Sequence, residues 1–152
     1  MNKNHVFSMG VISVTVLLVF SIFLFASDNT NSRNIDFLKT YGWEVDKKPY
    51  ERVEILIPDV FDEVYQNYNS LQKEAGLDLS NYKGFPATRY TYILKNFPEE
   101  TKNTVFANVI CVDGVPVGGD ICTIALDGFM YSLNFNTKDC YSNNLMKKIH
   151  IY

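Results

Sequence analysis

A chain of 152 residues with 14 Lys and Arg against 17 Asp and Glu, net charge −3, has room for one domain. Its basic residues are scattered, with only Lys47-Lys48 and Lys147-Lys148 adjacent, so the basic stripe that a nucleic-acid backbone requires is excluded. The cysteines Cys111, Cys122 and Cys140 lack metal-ligand spacing, and the histidines His5 and His150 lie near the chain ends; no zinc site, Cys–His pair, Ser–His–Asp triad or cofactor is predicted.

The first element is an uncharged, proline-free run, VFSMGVISVTVLLVFSIFLFA, from Val6 to Ala26. A membrane span needs about 20 such residues. A cleaved leader has an apolar core of about 7–15 residues and ends at a small-residue site, whereas Leu24-Phe25-Ala26 puts a large leucine at the critical position. Residues 1–27 are therefore expected to form an uncleaved, single-pass membrane anchor. Lys3 and the amino terminus precede the run, and Asp28, Arg33 and Asp36 follow it. That asymmetry places the N-terminus in the cytoplasm and the rest outside. Removing Lys3, the one charged residue before Asp28, leaves 13 basic against 17 acidic residues outside the anchor, a net −4.

Residues 28–34 are polar and read as a linker. From Asn34 the pattern becomes helical: Ile35, Leu38 and Tyr41 recur at helical spacing, Asn34 can cap the start and Gly42 can close the end. Trp43 and Val45 then plug this helix into a core. Val53–Ile57 is an apolar run of strand length stopped by Pro58. Asp59 is expected to cap the longest helix, whose face carries Val60, Phe61, Val64, Tyr65, Tyr68, Leu71, Gln72 and Ala75 before Gly76 ends it. Asp62 and Glu63 fall in its first turn, where the helix dipole favours carboxylates; Asp62 and Asp78 read as surface acids.

Thereafter the chain is β-patterned. Thr88–Asn96 places Tyr90, Tyr92 and Leu94 on one face, Thr104–Val112 follows, a third strand runs to Leu126, and Phe129–Phe135 is the fourth. Asp113-Gly114 and Asp127-Gly128 are two-residue hairpin turns. The predicted fold is α+β: an N-terminal transmembrane helix, then helix–strand–helix and a four-stranded antiparallel meander with the long helix packed on one face. The extracytoplasmic domain covers 35–136, and 137–152 form a tail with no assigned element.

Two-residue turns fix register. Val105, Ala107, Val109 and Cys111 then share a core face with Cys122, Ile124 and Leu126 and with Phe129, Tyr131, Leu133 and Phe135. The long helix is expected on that face. Phe106, Ile110 and Ile121 lie on the other, partly covered one. Cys122 falls opposite Val105 and Leu133, and Cys111 opposite Pro116. The two sulfurs are thus six residues apart, about 20 Å at 3.3 Å per residue, too far for a disulfide.

Asp120 stands out. The second hairpin puts it on the face of Leu133 and Phe135, directly after Gly118-Gly119. A carboxylate on an apolar face must be paired, hydrogen-bonded or protonated. Either a bulge at the glycines satisfies it, or Asp120, Gly118 and Gly119 form a ligand-binding site at the mouth of a pocket. No catalytic residue and no metal ligand is assigned.

The blocks FLKTYGWEV (Phe37–Val45), VFDEVYQNYNSLQKEAGLDLSNYKG (Val60–Gly84), RYTY (Arg89–Tyr92), GGDI (Gly118–Ile121) and LDGFM (Leu126–Met130) resemble a bacterial family known as domain of unknown function 4830. The resemblance spans roughly residues 35–135. It implies a bacterial, envelope-located, single-span protein and brings no reaction, ligand or catalytic residue. The expected function is a membrane-anchored, non-catalytic extracytoplasmic binding or accessory module, with the membrane and an envelope protein as partners. Two alternatives stand beside it: an enzyme using Asp120 and nearby carboxylates, or a structural subunit that docks a partner through Phe106, Ile110 and Ile121.

Overall fold

A computed structural model describes residues 29–97, 104–125 and 128–135. The expected membrane anchor, Leu126-Asp127 and the tail from Asn136 lie outside these residues, as does Cys140. In chain order the elements are α1 (residues 29–40), β1 (Glu51–Leu56), α2 (Glu63–Glu74), a 3-10 turn (Leu79–Tyr82), β2 (Pro86–Ile93), β3 (Val105–Val112), β4 (Val115–Thr123) and β5 (Met130–Ser132). The strands form one antiparallel sheet whose spatial order β1-β2-β3-β4-β5 is also the chain order.

This corrects the predicted fold in several respects. The sheet has five strands rather than four, because Glu51–Leu56 pairs along β2 from Glu51↔Thr91 to Leu56↔Pro86. Among the described residues no helix is long and apolar enough to cross a membrane. Residues 29–34 belong to α1 instead of a linker, and Asn34 lies inside the helix rather than capping it. The polar stretch that suggested a linker turns inward. Fully buried Asn34 donates from Nδ2 to the Tyr92 hydroxyl at 3.1 Å and accepts from Cys111 Sγ at 3.1 Å. Asn31 accepts from the Tyr92 hydroxyl at 3.0 Å and donates to the Lys47 carbonyl at 2.9 Å.

α1 ends as expected, with Gly42 at φ +84° and the Trp43 amide returning to the Leu38 carbonyl. α2 starts later than expected. Asp62, not Asp59, caps it, its Oδ1 accepting from the Tyr65 amide at 2.8 Å. The preceding residues are committed elsewhere. Ile57 and Phe61 are buried in the core, the Ile57 amide donates to the Phe85 carbonyl, and Asp59 is held against Gly84. Asp78 is likewise a cap rather than a plain surface acid. Its carboxylate accepts from the Ser80 amide, the Ser80 hydroxyl and Asn69, bonds that hold it well below the usual carboxylate range.

β3 is buried along its whole length because both sheet faces are covered. Val105, Ala107, Val109 and Cys111 pack with Leu38 and Trp43, and with Tyr92, Leu94, Ile121 and Leu133. That face therefore takes α1, not the long helix. Ile110 and Val112 point the other way, into a cluster with Ile57, Phe61, Leu79, Ala87 and Val117, against which Tyr65 and Tyr68 of α2 pack. Phe106, Ile110 and Ile121, the expected docking face, are all buried and belong to opposite faces.

The register explains the exchange. Near the Asp113-Gly114 turn the pairing is the predicted one, Val112↔Val115 and Cys111↔Pro116. Beyond it the register slips, Ile110 pairing with Gly118, so that Val117 is the extra residue of a β-bulge. Every later residue of β4 is displaced by one and changes face. Cys122 therefore sits opposite Phe106 rather than Val105, and Ile121 takes its place on the α1 face. The second connection is not the two-residue turn expected at Asp127-Gly128: Cys122 pairs with Met130 instead of Leu133.

Candidate functional site

The bulge turns Asp120 away from Leu133 and Phe135, where the sequence had placed it, and onto the α2 face opposite Asn108 and Ser132. Asp120 is 2 % exposed. Its Oδ1 accepts from Asn108 Nδ2 at 2.8 Å and its Oδ2 from the Tyr68 hydroxyl at 2.8 Å. Asn108 is itself held from β2, its Oδ1 accepting from the Thr91 hydroxyl at 2.7 Å, while its Nδ2 also lies 3.3 Å from Cys122 Sγ. Three strands and α2 thus converge on one carboxylate.

A buried carboxylate is costly unless its lone pairs are occupied. Burial pushes the Asp120 carboxyl above its ordinary value, while the hydrogen bonds from Asn108, Tyr68 and Cys122 and the positive charge of Arg89 oppose that rise. The same burial, joined by the charge of Asp120, raises the Tyr68 hydroxyl well above its usual value. Burial and Asp120 also push the Cys122 thiol up to about 12. A thiol so placed is almost wholly protonated near neutrality and makes a poor nucleophile.

The two glycines are required by packing. Gly119 lies directly against the Asn108 carbonyl, and a Cβ there would also come 2.9 Å from Leu133 Cδ1. A Cβ on Gly118 would lie 2.9 Å from Leu79 Cδ2. The Gly119 amide donates to Gln72 Oε1 at 2.8 Å. This bond accounts for the polar lapse on the apolar face of α2: Gln72 is a buried acceptor reaching the bulged strand. Asp120, Gly118 and Gly119 are therefore together, and each is bound to neighbours within the fold.

Open space lies elsewhere. A groove of about 560 Å³ runs between the ends of β1, β2 and the β3–β4 hairpin, lined by Glu54, Ile55, Leu56, Pro86, Ala87, Thr88, Cys111, Asp113 and Gly114. None of the three sequence-predicted site residues lines it. Among the described residues no group of three or more His, Cys, Asp or Glu could hold a metal ion. Cys111 and Cys122 are both free; Cys111 packs in the α1-side core and Cys122 faces α2. They lie on opposite faces, and with Cys122 opposite Phe106 they are also five residues apart along the sheet, about 16 Å at 3.3 Å per residue.

Tyr68, Asn108 and Thr91, the partners that define the Asp120 cluster, were not singled out from the sequence. Tyr68 was legible as part of the α2 stripe. Asn108 becomes the partner of Asp120 only once the bulge is known.

A family model described as Domain of unknown function (DUF4830) matches residues 37–121, more than half of the chain. The chain belongs to this family. The match runs from α1 to Ile121 and so includes the bulge, both glycines and Asp120, but stops short of β5, where the sequence blocks had suggested an end near residue 135. No curated protein and no solved structure matches the chain.

Proposed function

We propose that the protein is a membrane-anchored, non-catalytic binding or accessory module on the extracytoplasmic side of a bacterial envelope. The observation that carries the non-catalytic reading is the state of Asp120. Both of its oxygens are occupied by Asn108 and Tyr68 inside a closed cluster, whereas a general acid or base needs a proton path to a bound substrate. The nearest thiol is held protonated. The tether rests on the uncharged run Val6–Ala26, and the orientation on Lys3 before it and Asp28 after it.

The test uses the full chain expressed in a bacterial host. Membranes are washed with alkaline carbonate, the N-terminus is read by mass spectrometry, and intact cells stripped of their wall are treated with protease. The chain is expected in the washed pellet, with a start upstream of Ser27, and external protease should remove the domain. Recovery in the wash, a start at Ser27 or later, or a protected domain would overturn the reading.

A further inference from the structure

Seven large apolar side chains stand exposed among the described residues: Tyr50, Leu56, Val60, Val64, Phe85, Val115 and Ile124. Three of them, Leu56, Phe85 and Val115, lie at one end of the domain, that of the β3–β4 turn. Leu56 ends β1 and pairs with Pro86, next to Phe85. Val115 starts β4 beside the Asp113-Gly114 turn and pairs with Val112. The Ile57 amide bound to the Phe85 carbonyl, and the cluster of Ile57, Phe61, Ala87 and Val112, tie these segments together at that end.

The chain enters the domain at the same end. A Cβ on Gly114 would come 3.1 Å from Thr30 Oγ1, which places the start of α1 against the β3–β4 turn. Only Ser27 and Asp28 separate residue 29 from the apolar run ending at Ala26. Three Cα–Cα steps reach at most about 11 Å. A domain tethered so closely has one end that must face whatever holds the run.

We infer that this end, marked by Leu56, Phe85 and Val115, rests on the phospholipid interface, so that the domain lies against the bilayer in one fixed orientation. The inference builds on the proposed tether. Aliphatic and aromatic side chains exposed at one end of the domain suit the headgroup–acyl boundary. Glu54, Asp59 and Asp113 at this end are exposed acids and outnumber the exposed Lys83, which lies over the Phe61 ring. They are repelled by anionic lipid and suit the ammonium of choline or ethanolamine headgroups, so the surface it fits is zwitterionic.

The test places nitroxide labels at Phe85→Cys, Val115→Cys and, at the far end, Ile124→Cys. Each is made in the full chain carrying Cys140→Ser and reconstituted in phosphatidylcholine nanodiscs. Power saturation compares access to oxygen, which concentrates in lipid, with access to a water-soluble nickel chelate. The oxygen-to-nickel ratio should be several-fold higher at 85 and 115 than at 124. Equal ratios at all three sites, in chain that co-elutes with the discs, would show a domain standing clear of the bilayer and defeat the docking inference alone. Labels at 85 and 115 shielded from both reagents would mean that protein covers the patch, a second copy or another partner, and would also defeat it. Chain that fails to co-elute with the discs removes the tether, and both readings fall.

Discussion

Replacing Asp120 by asparagine leaves one oxygen to accept and puts a donor opposite another donor, from Asn108 or Tyr68. The loss should amount to about 1–3 kcal/mol, the usual cost of disrupting a buried hydrogen-bonded arrangement. Its pH dependence follows from the direction of the shift. The Asp120 carboxyl is raised above its ordinary 3.8 in the folded chain, so the folded state binds the proton first. The contribution of Asp120 is then fully present below 3.8 and declines as pH rises through the folded value. Denaturant titrations of wild type and Asp120→Asn should therefore give a larger difference at pH 4.5 than at pH 8; a difference that grows with pH would mean an anion stabilised by its donors. The thiols give a second check. Burial pushes Cys111 and Cys122 each up to about 12, so iodoacetamide at pH 8 should leave both unmodified in the folded domain and label both after denaturation, as peptide mass spectrometry would read. The sequence alone marked Asp120 as the acid that burial would trap, because no other acid follows two glycines within an apolar strand. It could not name the donors, since these depend on a one-residue slip.

That slip belongs to the scale of the elements. Strand identities were legible because alternation and the Asp-Gly turn at 113–114 are local signals, and this turn does hold its predicted pairing. A bulge at Gly118-Gly119 was one of the two readings the sequence offered, and the bulge lies at Val117, directly before them. The change of face it imposes on Asp120 was not legible from local pattern. Gly118 and Gly119 carry no side chain to show which face they occupy, and the cause of the slip is tertiary: Leu79 and Gln72 press on Gly118, and Asn108 and Leu133 on Gly119. The start of α2 was misplaced for a similar reason, as Asp59 and Asp62 are equally good caps in sequence and only the burial of Ile57 and Phe61 selects the second. Asp62→Ala should therefore cost about 1 kcal/mol in a denaturant or thermal melt, the typical loss of a helix N-cap. A change below about 0.3 kcal/mol would argue that the Tyr65 amide is equally well served by water.

At the scale of the whole molecule, the β1 edge and the assignment of helices to faces escaped the sequence because both α1 and α2 carry apolar stripes, and either could cover the Val105–Cys111 face. What decides is the chain's route. α1 enters beside Gly114 and closes with Trp43 against Leu133, leaving the mixed face, with Asn108 and Asp120, to the tyrosines of α2. The same route has a kinetic consequence. Every strand pairs with its neighbour in sequence. From β2 to β5 the connections are 11, 2 and 6 residues long, so that part of the sheet can grow through local contacts, the condition for fast folding. β1 instead joins across the 29 residues that carry α2. The Trp43 indole, by contrast, donates to the Leu133 carbonyl at 2.7 Å across 90 residues, a closure whose entropy is recovered only when the sheet is in place. Trp43 is the single tryptophan and is buried, so its fluorescence reports that closure. In stopped-flow refolding of the chain from residue 29 onward, β-sheet ellipticity should develop no later than the tryptophan signal. Leu133→Ala keeps the carbonyl but removes the side chain that packs in the Trp43 core cluster, and weakening the closure in this way should accelerate unfolding far more than it slows refolding. An equal effect on both arms would place the Trp43–Leu133 clasp inside the folding nucleus instead of at its end.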